Sequence, residues 1–307
     1  MRLKRASFAQ LLLDWFARCG RSELPWRTSR TPYRVVVSEF MLQQTQVERV
    51  CGLFEGFVAK WPGFEALAAA SQADVVRAWK GLGYNSRAVR LHRLAKIVTE
   101  RFGGELPRGE RELRELPGVG PYTARAIASF AFDASVVAAD TNVRRIVHRT
   151  QLGLEWPSRA APRELDALAA GLIPPGSGYA FNSALMDLGA TLCTARAPKC
   201  ALCPLRSVCV AAPIDSASLG QLAKANARTR SPQERLRFEA TSRFVRGRVV
   251  DRLRALPPGR RISLLDLYAE LEAVLSHHDA AGLDAIVAAL ARERIVDDVD
   301  GSLALAH

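Results

Sequence analysis

The chain has 307 residues, enough for two or three domains with separate cores, and 49% of them are hydrophobic. Its 43 Lys and Arg against 31 Asp and Glu give a formal charge of +12, a balance that attracts polyanions, nucleic acid foremost, because binding phosphates releases counterions. No stretch approaches the roughly 18 consecutive apolar residues that a membrane span requires, so no membrane partner is expected.

At the start of the chain, Arg2, Lys4 and Arg5 lead into Leu11, Leu12 and Leu13, but Asp14 and Arg18 break the apolar run. No secretory signal is read there, and a cytoplasmic protein is expected. Helical periodicity then dominates to about Cys209, with Pro25, Pro32, Pro62, Pro107, Pro117 and Pro157 separating the helices, so the body reads as all-α. Within it, Val35-Val36-Val37-Ser38-Glu39-Phe40-Met41-Leu42 is an apolar helix carrying one carboxyl. Burial there would raise the pKa of Glu39, although an isolated glutamate is more often on a solvated helix face.

Leu116-Pro117-Gly118-Val119-Gly120-Pro121-Tyr122-Thr123-Ala124 joins two helices by a glycine hairpin. Gly118 and Gly120 let the backbone take strained angles and come close to a ligand, and the following helix aims free N–H groups at an anion, which together make a non-specific phosphate grip. Further on, Asp140 follows an apolar run and precedes Thr141-Asn142-Val143-Arg144-Arg145-Ile146-Val147, where it reads as a helix N-cap.

Cys193, Cys200, Cys203 and Cys209 form a C-x6-C-x2-C-x5-C run that uses four of the six cysteines. That spacing suits one soft centre, either tetrahedral zinc or an iron-sulfur cubane, and disulfides are the weaker alternative. After it, Asp215 to Glu234 turns polar and reads as a linker. From about Leu236 come three helical stretches, Phe244 to Leu256, Leu264 to Leu275 and Leu283 to Arg292. Asp300-Gly301 between apolar runs then signals a tight hairpin. Three helices and a hairpin make a small winged-helix-like domain that could touch DNA or protein, or serve only as a packing cap.

The hairpin, the Asp140 segment and the cysteine run, in this order, resemble the helix-hairpin-helix DNA glycosylases of the endonuclease III superfamily. Leu24-Pro25-Trp26-Arg27, Ser38 to Gln46 and Gly81-Leu82-Gly83-Tyr84 look most like its MutY-type adenine glycosylases, over about Leu24 to Cys209. The resemblance implies a two-lobed body at 1–213 with a 4Fe-4S cluster loop at 193–209; the linker at 214–235 and the winged-helix-like domain at 236–307 are read from the residue pattern instead. Duplex DNA with a mismatch or lesion is the implied partner, for a monomer associated with the nucleoid.

By the same resemblance Glu39 protonates the five-membered-ring nitrogen of adenine, Asp140 stabilises the oxocarbenium ion and Asn142 positions the reacting groups. Tyr122 stands where bifunctional relatives carry a lysine; a phenol forms no Schiff base with the sugar, so a monofunctional enzyme that leaves an abasic site is expected. Gln44 and Tyr84 match the wedging positions that fill the stack once a nucleotide is extruded, and Trp26 and Arg27 would line the base pocket.

Three positions depart from the pattern. Ser183 stands where Gln or Glu commonly reaches the adenine edge, and it is too short for that contact. Asn85 follows Tyr84 where a second tyrosine is common. The winged-helix-like tail stands in place of the usual Nudix-like domain that recognises 8-oxoguanine; Ser276-His277-His278 resembles a Ser-His element of that domain only by coincidence. The leading expectation is therefore a glycosylase for mispaired adenine. A glycosylase for thymine or uracil opposite guanine, or a non-catalytic damaged-DNA binder, are the alternatives, and the joint presence of Glu39, Tyr122, Asp140 and Asn142 speaks against the last.

Overall fold

A computed structural model describes residues 2–153, 161–225, 237–273, 275 and 280–307. Pro157, the end of the expected linker and Ser276-His277-His278 lie outside the described residues. The described chain is mostly helical, with one small sheet at its C-terminal end, and no described helix is long and apolar enough to cross a membrane. It divides into two compact units.

The first unit comprises Met1–Glu39, Pro107–Glu115 and Val119–Arg228. Its core forms where helices Arg2–Cys19, Thr141–Gln151 and Gly178–Thr191 present apolar faces at helical spacing: Phe8 and Leu12, then Val143, Ile146 and Val147, then Phe181, Leu185 and Leu188. Gly189 permits the close packing of the last two helices. A methyl group there would sit 2.8 Å from Cβ of Asn142.

The second unit comprises Phe40–Leu106, Leu116–Gly118 and Thr229–His307. Helices Val47–Lys60, Gln72–Ala78 and Ser86–Phe102 gather round the fully buried Trp79, whose indole meets Phe57 edge-on at 5.8 Å. Ser71 starts the second of these helices by accepting from Asp74 N at 3.0 Å, and Gly103, with φ 62°, ends the third.

The C-terminal part of this unit runs helix Ser242–Arg254, β1 Ile262–Ser263, helices Leu264–Leu271 and Ala280–Arg292, β2 Val296–Val299 and β3 Ser302–Leu305. The sheet order is β1-β3-β2, antiparallel throughout, with Ile262 opposite Leu303 and Val296 opposite Leu305. This is a winged-helix order. Asp300 and Gly301 both take left-handed angles, φ 51° and 76°, as a two-residue hairpin of matching twist demands.

Two expectations change. The two-residue strand β1 is too short to leave an alternation in sequence, so it went unread. The segment taken as linker from Asp215 begins instead with a helix, Ser216–Ala225, capped where Asp215 accepts from Ser218 N at 2.8 Å and held by the buried Leu219.

Candidate active site

In the first unit, Glu39 lies near the end of helix Pro32–Leu42, where Val35, Val36, Val37, Phe40 and Met41 are all buried. Glu39 itself is only 9% exposed. Burial, and after it the negative field of Asp140, raises its pKa to about 7. A carboxyl at that value still holds a transferable proton at neutral pH.

Asp140 caps helix Thr141–Gln151, with Oδ1 accepting from Val143 N at 2.7 Å. Its other oxygen accepts from Nδ2 of Asn142 at 2.8 Å. Asn142 is oriented in turn by Nη2 of Arg145, which donates to Oδ1 at 2.9 Å and also to Gly189 O. The carboxylate is thus fixed by a backbone amide and an amide side chain that is itself held.

Tyr122 is the second residue of helix Pro121–Phe132 and is 37% exposed. Its hydroxyl is nevertheless held well above the usual phenol range by burial, and then by Glu39 and Asp140. A phenol and two carboxyls that act on one another through space share one neighbourhood of this unit.

The hairpin gives its two glycines different tasks. Gly118 has φ 81°, and a methyl group on it would lie 2.8 Å from Cε1 of Phe40. Gly120 has an ordinary φ of −86° and is the N-cap of helix Pro121–Phe132, with Pro121 at its first position. Contrary to the expectation of two strained glycines, only Gly118 needs its freedom for the turn. At Gly120 a Cβ would meet nothing within 4 Å, so the bare backbone there faces open space.

In the second unit two loops carry non-glycine residues at positive φ, Gln44 at 55° and Tyr84 at 46°. Both are anchored by one buried guanidinium. Arg87, 4% exposed, donates from Nη1 to the carbonyls of Phe40, Met41 and Gln43 at 2.6–2.8 Å. From Nη2 it donates to Thr45 Oγ1 and to the carbonyls of Leu82 and Gly83 at 2.9–3.0 Å. Burial pulls its pKa down to about 10, so it remains charged at neutral pH. Tyr84, 39% exposed, is presented by this clamp.

The four cysteines line one small cavity of about 20 Å³ in the first unit, with mostly apolar neighbours such as Leu188 and Leu205. Arg149, 2% exposed, shapes their loop by donating to Thr194 O at 2.7 Å, to Ala195 O at 2.9 Å and to Sγ of Cys193 at 3.5 Å. Burial and the other three thiols push Cys203 up to about 11. Four sulfurs on one dry pocket are unfavourable as thiolates alone and suit a soft cationic cluster. Among the described residues, no group of three or more His, Cys, Asp or Glu is gathered as ligands of a single metal ion.

Residues 37–175 match the HhH-GPD superfamily base excision DNA repair protein family, and residues 193–209 match the iron-sulfur binding domain of endonuclease III. An adenine DNA glycosylase of Mycolicibacterium smegmatis is 44% identical over 244 residues, 79% of either chain. One of Mycobacterium tuberculosis is 40% identical over 297 residues, 96% of this chain and 92% of that one. This chain belongs to the adenine DNA glycosylase family. The second match leaves so little of the chain outside it that the C-terminal helices and sheet fall largely within the similarity. A thermostable thymine-DNA glycosylase superposes with a TM-score of 0.61 at 30% identity, over 68% of this chain and 96% of that one. An endonuclease III in a non-covalent DNA complex does so at 0.58 and 23%, over 68% and 95%, and shares the fold.

The cysteine loop of this family member holds a 4Fe-4S cluster, which settles the choice that spacing left open. Other expected site residues are less free than the sequence suggested. Arg27 is committed to Asp187, with Nη1 and Nη2 donating to its two carboxylate oxygens at 2.7 and 3.1 Å. Arg21 shares that carboxylate. Ser183 is 1% exposed, and its hydroxyl has no hydrogen-bond partner among the described residues; Trp26 is half-buried. Arg87 was missed altogether, since nothing in its sequence setting separates it from the chain's many other arginines.

Proposed function

We propose that this chain is a monofunctional DNA glycosylase of base excision repair that hydrolyses the N-glycosidic bond of a mispaired adenine flipped out of duplex DNA. The observation that carries the reading is Glu39, buried and protonatable near pH 7, with its pKa raised in part by the helix-capping Asp140. Leaving-group protonation and charge stabilisation need this pair in these opposite states.

In this reading the Glu39 proton passes to the five-membered-ring nitrogen of adenine as the C1′–N bond breaks. Asp140 faces the cationic sugar, or bonds it transiently. A water oxygen then bonds C1′, displacing the Asp140 oxygen where that has bonded, and its proton passes to the Glu39 carboxylate, which restores the acid. Asn142 holds Asp140 in place, and Tyr122, with no amine, leaves the abasic sugar uncleaved.

Gln44 and Tyr84 fill the stack, the N–H groups after Gly118 and Gly120 hold phosphate, and Trp26, Arg27 and Ser183 border the base. Cys193, Cys200, Cys203 and Cys209 would hold the cluster, which when bound supplies a fourfold covalent tie across the loop. The body takes residues 1–213, a connection 214–235 and the winged-helix-like part 236–307, and the enzyme works as a cytoplasmic, nucleoid-associated monomer.

Ser183 and the likeness to a thymine-DNA glycosylase favour one second reading, removal of thymine or uracil opposite guanine. A panel of duplexes with each candidate base against each partner, treated with alkali after incubation, decides between them. Scission at mispaired adenine alone supports the first, and scission at thymine or uracil opposite guanine supports the second.

A further inference from the structure

The second unit contains a recess of about 810 Å³ where the Gln44 and Tyr84 loops meet the C-terminal helices. Its walls carry two exposed aromatic side chains, Tyr84 at 39% and Phe238 at 55%. Between them stand the guanidinium groups of Arg49, Arg243, Arg246 and Arg254. The acids in the recess are already used: Glu293 pairs with Arg246 at 2.6 Å, and Asp251 pairs with Arg254 at 2.9 Å.

Arg243 has no hydrogen bond or ion pair among the described residues and lies over the Tyr84 ring, 4.2 Å from its centroid. Arg49 makes one long bond, to Gly81 O at 3.3 Å. The recess is therefore cationic, aromatic and open, and its carboxylates are neutralised in place, so it is built to bind and not to react.

The C-terminal part is pinned to this loop by Arg254, whose side chain is 8% exposed. Its Nη2 donates to Oδ1 of Asn85 at 2.7 Å, and its Nε donates to Val76 O at 3.0 Å. Gln72 adds a third link, donating to Arg294 O at 2.6 Å. Asn85, the position that departs from a more common tyrosine, is thus the acceptor that docks the winged-helix-like part beside Tyr84.

We infer that this recess is a second nucleotide site, which takes a non-reacting, unstacked nucleotide of the bound duplex with its base against Tyr84 and Phe238 and its phosphate on Arg243 and Arg49. Base faces stack on aromatic rings whatever their identity, and phosphates select unpaired guanidinium groups. A recess of this size is large enough to admit one nucleotide. The inference rests on the DNA glycosylase reading and gives the C-terminal part a share in substrate binding.

The test uses the full chain and duplexes in which 2-aminopurine, a base whose emission rises on unstacking, is placed at each position of both strands in turn. On wild-type binding, emission should rise at one or two positions besides the target, and Phe238→Ala should return that signal toward the free-duplex value. Arg243→Ala should weaken duplex binding by about tenfold and lower the slope of log K against log salt by about 1. Arg243→Lys should keep the slope and lose part of the emission. Arg260→Ala removes an exposed charge of the same part outside the recess and should have a smaller effect.

Equal losses in Arg243→Ala and Arg260→Ala, or no position whose emission depends on Phe238, would overturn the inference. Base release by the wild type on the duplex panel is read separately. Failure there ends the glycosylase reading, whereas normal release with an inert recess ends only this one.

Discussion

The Asp140 carboxylate acts through space on Glu39, adding to burial in raising the pKa of that carboxyl to about 7. Two carboxyls of the same chemical type thereby stand in different settings: one is buried among apolar side chains, and the other sits at a helix entrance with two N–H donors. Glycosidic bond cleavage needs that asymmetry.

The first prediction concerns pH. Single-turnover base release should be flat below about pH 7 and fall roughly tenfold per pH unit above it, as Glu39 loses its proton. Stability carries the same signature. The folded pKa lies above the ordinary glutamate value of 4.5, so the contribution is complete below that value and lost as pH rises through about 7. Urea midpoints at about pH 5 and about pH 8 should show Glu39→Gln gaining on the wild type, by a limit of about 3 kcal/mol. A difference that does not change with pH argues against a buried carboxyl.

Asp140 allows charge and capping to be separated. Asparagine caps helices as well as aspartate does, so Asp140→Asn should keep duplex affinity and stay within about 1 kcal/mol of wild-type stability while base release falls at least a hundredfold. Asp140→Ala should lose the release and also about 1 kcal/mol of stability. Thermal melts beside single-turnover rates measure both. Retained turnover in Asp140→Asn removes the carboxylate from the mechanism.

Features written in local patterns were legible in the sequence: the Asp140 cap, the Asp300-Gly301 turn, the helical phase of Val143, Ile146 and Val147, and the cysteine run. What escaped depends on partners far along the chain. Arg87 finds its Phe40 carbonyl 47 residues away, and Arg254 finds Asn85 at a separation of 169. No periodicity records such a pairing. Arg27 looked available from sequence because Asp187, which occupies it, lies 160 residues on.

Arg87 should prove indispensable to the wedge loops. Lysine cannot serve six acceptors that a planar fork reaches, so Arg87→Lys should cost about 3 kcal/mol or more, by leaving buried carbonyls unpaired. Denaturant midpoints read this directly. A change below about 0.5 kcal/mol would show that water satisfies those carbonyls.

The cysteine loop predicts a brown protein with broad visible absorbance. Arg149→Ala frees Thr194 O and Ala195 O and should speed the loss of that colour in air, with iron release as the second readout. A colourless protein holding stoichiometric zinc contradicts the cluster assignment.

The most direct measurement is strand scission of a duplex bearing one mispaired adenine, with and without alkali after incubation with the wild type, Glu39→Gln and Asp140→Asn. Scission at the adenine should occur with the wild type only after alkali, and both variants should leave the strand whole. An intact strand with the wild type, or equal scission by all three proteins, contradicts base release by this pair of carboxyls.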